Sequence, residues 1–321
     1  MQQSLWQDPL YRETALLVVG VLFAVGFGLF FVRHKNTHTA ASWASLKSWL
    51  FAAPVLLVFC ALPSPWPLVV LTVIAMLGAK IFFQMMGMYH RSNFVWATYL
   101  GLIGLAVTIH LDYREIYNLA PMIFLGAICL IPILRNSAKQ MIQYVCLTLM
   151  CFSFLGWAFM HLGWIWQLER GPFMVLYLII LTEVCDNLYL TLSRNVGKVK
   201  LFSRISPKRN LEAGMIAFAL TLILAWGLRH LLPDRTELFW IAAGLVAALG
   251  GSLGDLVLSV IRRDLGIKDV GPFIIGRGDL LTIMDRMIFV APIFYYVMWY
   301  LQTRGHMHKS ANFLAPFLRG M

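Results

Sequence analysis

The side chains with the most chemical capacity fall after about position 180, and they are oxygen-bearing acids and cations. Ser252, Asp255 and Ser259 stand at i, i+3 and i+7 in the run Ser252-Leu253-Gly254-Asp255-Leu256-Val257-Leu258-Ser259-Val260-Ile261-Arg262-Arg263. On a helix that spacing places all three on one face. Such hard oxygen donors suit Mg²⁺, which takes one or two carboxylates and completes its shell with water and substrate phosphates. Arg262 and Arg263 follow at the end of the apolar run, where they either hold a lipid phosphate or snorkel out of the membrane. Glu183 and Asp186 lie three apart in another apolar stretch, so a helix presents both on one face. A charge at a bilayer centre costs about 2.5–3.5 kcal/mol on insertion scales, which makes intramembrane acids functional candidates when they face a bundle interior or wet cavity. Carboxylates solvated at the end of a span are the plainer alternative. Between these groups runs a basic loop with Lys198, Lys200, Arg204, Lys208 and Arg209 beside Ser203 and Ser206. It can grip phosphates through charge-assisted hydrogen bonds, although a basic loop beside a membrane also binds anionic headgroups. Pro207 forces Ser206 to be extended, and Asn210 is expected to cap the helix that follows.

The elements that must position these residues are membrane helices. Of 321 residues, 60% are hydrophobic and 13% charged, with mean hydropathy +0.74. Soluble domains average about 45–50% apolar and about 25% charged. Ten apolar spans are expected, at about 14–32, 48–63, 67–87, 94–111, 117–134, 141–160, 172–191, 212–231, 238–260 and 287–302. The second is shortened by Pro63 and Pro65, so nine spans is an alternative. Spans in lipid must be helical, because nothing there satisfies open backbone groups. The fold class is therefore an all-α, polytopic transmembrane bundle. The net charge of +11 is distributed between spans instead of forming one stripe, which argues against nucleic acid as a partner. Most of the Lys and Arg residues lie in alternate connections, including 193–211 and 261–286, and the positive-inside rule assigns those to the cytoplasm. Both termini then lie outside it. Trp66, Tyr99, Trp164, Trp166 and Trp240 fall near span ends, as an interfacial belt requires. The five cysteines sit in apolar stretches without metal-ligand spacing and read as small buried hydrophobes. The first apolar span ends in Arg33-His34-Lys35 without a small-residue cleavage site, so a removable signal peptide is not expected.

At these residues the chain resembles the phosphatidate cytidylyltransferases, the CDP-diacylglycerol synthases. That family carries a serine, then approximately G-D-x-x-x-S-x-x-K-R, four residues, K-D, and a glycine-rich G-H-G-G-x-L-D-R-x-D-S. Here Gly254-Asp255 through Arg262-Arg263 fits the first part, with Arg262 in place of lysine, and Lys268-Asp269 follows at the same spacing. Upstream, Asp186, Gly197-Lys198-Val199-Lys200 and Ile205-Ser206-Pro207-Lys208-Arg209-Asn210-Leu211-Glu212-Ala213 resemble an acid in a span, G-K/R-x-K and I-S-P-x-K-T-x-E-G. The similarity covers about residues 180–300. It departs at Asn210, at Ala213 and, in the ungapped register of 276–286, at Thr282 and Ile283, where the family has D-R. Only the second aspartate of that element survives, as Asp285.

The resemblance implies a CTP-dependent cytidylyltransferase converting phosphatidate and CTP to CDP-diacylglycerol and pyrophosphate. It implies residues 1–170 as N-terminal membrane helices, 171–302 as the cytidylyltransferase-like domain and 303–321 as a tail. Asp255, Ser259, Asp285, Lys268 and Asp269 are the expected catalytic residues. Asp255, Asp285, Asp279, Asp186 and Ser252 are the expected metal donors, for Mg²⁺ with a second ion such as K⁺ as an option. Lys198, Lys200, Ser206, Lys208 and Arg209 are assigned to nucleotide phosphates, and Arg262 and Arg263 to the lipid phosphate. The expected partners are CTP and phosphatidate, a homodimer is compatible, and the expected location is a bacterial inner membrane with the site toward the cytoplasm. The alternatives are a related CTP-dependent enzyme on another lipid phosphate or lipid alcohol, an inactive lipid-binding homologue, and a transporter with Lys80, Glu183 and Asp186 as an ion path. The last is disfavoured because the acids cluster at one face and no paired repeat is visible.

Overall fold

The computed structural model describes residues 5–32, 37–136, 140–194, 196, 199–200, 205–206, 209–234, 236–264, 274–275 and 278–318, with 29, 32, 37–42, 44–48, 51, 274–275, 278–283 and 304–318 described by backbone alone. Among them are α1 (Pro9–Val32), α2 (Thr37–Ala61), α3 (Trp66–Met85), α4 (Ser92–His110), α5 (Arg114–Leu134), α6 (Met141–Cys151), α7 (Phe159–Gln167), α8 (Gly171–Leu192), α9 (Leu211–Gly227), α10 (Glu237–Asp264) and α11 (Leu280–Leu318). The π-helical turn Phe152–Ala158 joins α6 to α7 in one rod, Met141–Gln167. Ten rods therefore stand where ten spans were expected. Among the described residues, seven helical stretches are long and apolar enough to cross a membrane, and Ala52–Ala61 and Leu211–Gly227 are shorter apolar helices. The chain is a multi-pass, all-α membrane protein. The strands among the described residues are β1 (Ile274–Ile275) and β2 (Gly278–Asp279), paired antiparallel just before α11.

Three rods depart clearly from the expected bounds, the first being Met141–Gln167, which runs past the expected end at about 160. α2 begins at Thr37, well before the apolar run that hydropathy marks. α11 begins at Leu280, so Asp285 and Arg286 lie in the helix and not in the loop before it, and its backbone continues through the segment expected as a tail. The start has a physical cause. Arg286 pairs with acids of α8 inside the bundle, so the helix need not end where hydropathy falls.

Small residues bring the C-terminal helices together. Gly250, Gly251 and Gly254 make a stripe on α10: a Cβ at 250 would stand 2.9 Å from Val290 Cγ2, one at 251 would stand 2.8 Å from Thr182 Cγ2, and one at 254 would overlap the carbonyl of Asp285. Without a hydrophobic drive between helices in lipid, this close packing holds such a bundle together. The Tyr177 hydroxyl ties α8 to α9 by donating to the Ala225 carbonyl at 2.9 Å. One apolar cluster runs from Tyr11 through Leu102, Phe152 and Leu178 to Met298, and a second, small one joins Tyr189 of α8 to Ala213 and Ala217 of α9.

Candidate functional site

Four segments deliver polar side chains to one end of the bundle. The C-terminal half of α8 brings Glu183 and Asp186, the return loop into α9 brings Arg209, the C-terminal half of α10 brings Asp255, and the start of α11 brings Asp285 and Arg286. This is the end from which the two longest basic connections leave. The two ends of the loop are joined by their own backbone: Lys200 bridges Asn210, and Leu211 N donates to Val199 O at 2.9 Å. Asn210 stands at the N-cap position of α9 without capping it. Its amide instead donates to the carbonyls of Ser193 (3.0 Å) and Val196 (3.2 Å) beyond α8. The expected cap is therefore corrected. The amide NH₂ supplies donors, and carbonyls at the end of a helix are the acceptors that lack partners.

Two guanidiniums organise the acids. Arg209 Nη2 lies 3.0 Å from Asp186 Oδ1 and 2.7 Å from Asp255 Oδ2, with the guanidinium 4.7 Å over the Tyr189 ring. Arg286 Nη2 lies 3.2 Å from the other oxygen of Asp186, and its Nη1 pairs with Glu183 Oε2. Asp186 thus links the two arginines. Asp285 is fully buried beside them, close enough to Asp255, Asp186, Arg286 and Arg262 to feel their charges. Neither Asp285 oxygen has a hydrogen-bond partner among the described residues, nor do Glu183 Oε1, Arg209 Nη1 and Arg286 Nε. Buried polar atoms are nearly always paired, with protein, water or an ion. Five unpaired ones in one place mark a site built for something polar.

The donor chemistry fits a divalent cation. Asp186 and Asp255 already point one oxygen each at a shared positive group, and Asp255 keeps 22% of its side chain exposed. No three acids, histidines or cysteines form a metal-ligand set among the described residues. Mg²⁺ does not need one, since one or two carboxylates suffice when substrate phosphates and water complete its shell.

Of the residues picked out by sequence, Asp186, Asp255, Asp285 and Arg209 come together. Arg209 is buried between two acids and does not stand on the surface of the basic loop. Ser252 and Ser259 are half-buried on α10, and the Ser252 hydroxyl donates to the Ala248 carbonyl of its own helix at 3.2 Å. Ser206 accepts at its carbonyl from Arg209 N (3.2 Å), and Lys200 is exposed. Arg262 and Arg263 form the last turn of α10. Lys198, Lys208, Lys268 and Asp269 lie outside the described residues, and Asp279 is described by its backbone in β2. Arg286 and Tyr189 were missed. An arginine inside the bundle opposite Glu183 is the signal that marks Arg286, because such a charge must find a partner. Nothing local marks Tyr189.

Comparison with known proteins follows the same line. The model of the cytidylyltransferase family matches residues 43–301, which take in every member of the cluster. The uncharacterized protein YnbB of Escherichia coli K12 is 34% identical over 157 residues, 46% of this chain and 53% of its own. The phosphatidate cytidylyltransferase of Bacillus subtilis 168 is 30% identical over 148 residues (45% and 55%). That of Staphylococcus aureus COL is 29% identical over 147 residues (44% and 56%). The chain spans about half the length of the curated relatives it matches.

Proposed function

The chain belongs to the cytidylyltransferase family, and from that premise we propose that it transfers the cytidylyl group of CTP to phosphatidate at the cytoplasmic face of a bacterial inner membrane. The observation that carries this reading is the pairing of Asp186 and Asp255 with the inward-facing guanidiniums of Arg209 and Arg286, with Asp285 buried beside them, at the basic end of the bundle. The acceptor comes from the relatives named phosphatidate cytidylyltransferase.

In this reaction a phosphate oxygen of phosphatidate bonds to the α-phosphorus of CTP. The bond from that phosphorus to the oxygen bridging to the β-phosphate breaks, and its electron pair leaves with pyrophosphate. The nucleophile is already anionic at neutral pH, so no covalent enzyme intermediate is needed. Such transfers depend chiefly on positioning and on neutralising charge. Bound Mg²⁺, held by Asp186 and Asp255, would supply Lewis-acid neutralisation of the phosphate oxygens. The protein supplies the rest. Arg286 fixes the free oxygen of Asp186 and so orients its other one. Asp285 and Asp279 are further acids at the same end, with Ser252 and Ser259 beside Asp255 on α10. Lys198, Lys200, Lys208 and Arg209 take the triphosphate, and Arg262, Arg263 and Lys268 take the lipid phosphate or the departing pyrophosphate.

The test is direct. Purified protein with labelled CTP, phosphatidate and Mg²⁺ is expected to form CDP-diacylglycerol, and Asp255→Asn to lower the rate at least about 10²-fold. Product with a different lipid phosphate only would change the acceptor. No product with any lipid phosphate would overturn the reading.

A further inference from the structure

Arg209 occupies an unusual position for a phosphate-binding cation. Its side chain is 4% exposed, and a single nitrogen, Nη2, is shared by Asp186 and Asp255 at 3.0 and 2.7 Å. Those two carboxylates are the pair that suits a divalent cation. Its second terminal nitrogen, Nη1, is buried and has no acceptor among the described residues. A guanidinium carries five donors in a planar fork, and here one prong is used twice while another is idle. The residue sits in a loop, held by the Tyr189 ring beneath it, whereas Arg286 sits on a helix and pairs with both Glu183 and Asp186. Of the two, Arg209 is the one that lies outside a helix.

We propose that Arg209 is an exchangeable counterion: in nucleotide-free protein it fills the cation position between Asp186 and Asp255, and it turns to the nucleotide phosphates when a divalent cation takes that position. The inference rests on the metal and nucleotide reading above and adds its order of assembly. A guanidinium and a divalent cation drawn to the same position between two carboxylates repel each other, so Arg209 and metal compete until a phosphate offers the guanidinium a new acceptor. Nucleotide and metal binding are then coupled through one side chain, because each ligand favours the arrangement that the other needs.

The experiment measures two affinities on the full-length protein in detergent. Mn²⁺, standing in for Mg²⁺, is titrated without nucleotide and followed by electron paramagnetic resonance. CTP is titrated calorimetrically in the presence of a chelator. Arg209→Met is expected to tighten Mn²⁺ binding, by between about 5- and 150-fold for an ordinary coupling, and to weaken CTP binding. Tyr189→Leu removes the ring beneath the guanidinium without changing a charge, and is expected to tighten Mn²⁺ by a smaller factor. Arg194→Met removes an exposed charge from the same loop and is expected to leave Mn²⁺ binding unchanged. Opposite shifts from one substitution are not a signature of general damage. Equal or weaker Mn²⁺ binding in Arg209→Met would overturn the proposal, as would an equal gain in Arg194→Met. Failure of the transferase reading is distinct: it appears as missing CDP-diacylglycerol whatever the Mn²⁺ titrations give.

Discussion

Substituting alanine at three glycines tests the geometry of the site through a single added methyl. In a helix, Gly→Ala is worth roughly 0.5–1 kcal/mol in favour of alanine where space is open. Gly104 on α4 has nothing within 4 Å of the new Cβ, so Gly104→Ala is expected to be neutral or slightly stabilising. At Gly250 the methyl meets Val290 Cγ2 at 2.9 Å, with the Val290 backbone at 3.4 Å and beyond. The valine methyl can give by a few tenths of an ångström, so a small loss is expected. At Gly254 the methyl meets backbone: the carbonyl of Asp285 and, at 3.1 Å, the Cα of Arg286. Backbone in a packed helix cannot rotate aside, so α10 and α11 must separate. Overpacking of this kind costs about 1–3 kcal/mol, enough to exceed the helix-propensity gain. The same separation moves Asp255, the next residue, away from Asp285, and a misplacement of about 1 Å can lower a rate about 10²-fold. Thermal unfolding in detergent and turnover of labelled CTP measure the two effects. The expected order is Gly104→Ala, Gly250→Ala, Gly254→Ala, with Gly254→Ala losing more in rate than in stability. Wild-type turnover and melting in Gly254→Ala would refute the crossing as described.

Other perturbations probe the ion network. Arg286→Met leaves Glu183, 6% exposed, without its partner, and breaking a buried pair costs about 3–5 kcal/mol; adding Glu183→Gln is expected to restore part of the lost melting temperature. Asp285→Asn removes a fully buried acid whose oxygens have no hydrogen bond among the described residues, so stability is expected to hold or rise while turnover falls, the trade-off of a site kept for function. Orientation is tested with single cysteines: Lys200→Cys is expected to react with an impermeant thiol reagent only when the cytoplasmic face is exposed, and Arg229→Cys only from the opposite face, each in a background without the native cysteines.

The sequence by itself determined the class of protein, its helices and the neighbourhood of its chemistry. Hydropathy is a local property, and a chain in lipid has no alternative to helices for its apolar runs, so nine or ten spans could be placed from the apolar runs alone. The spacing of Ser252, Asp255 and Ser259 and of Glu183 and Asp186 is likewise local, because helical periodicity converts spacing into facing. The start of α11 was not legible, since hydropathy stops at charges and cannot tell that Arg286 is neutralised by a helix about a hundred residues earlier. Asn210 has the composition of a cap, and only the returning loop decided that its amide serves the end of α8 instead.

The tertiary structure alone decided the roles of the two arginines. Arg209 and Arg286 look in the sequence like members of basic segments, and folding turned them into the internal counterions of Asp186, Asp255 and Glu183. The cause is the glycine stripe of α10, which lets α11 approach until backbones touch and brings acids from α8, α10 and α11 within reach of the same cations. Pairing through space between distant segments leaves no periodic trace along a chain, whereas a guanidinium buried away from water has to find such a partner.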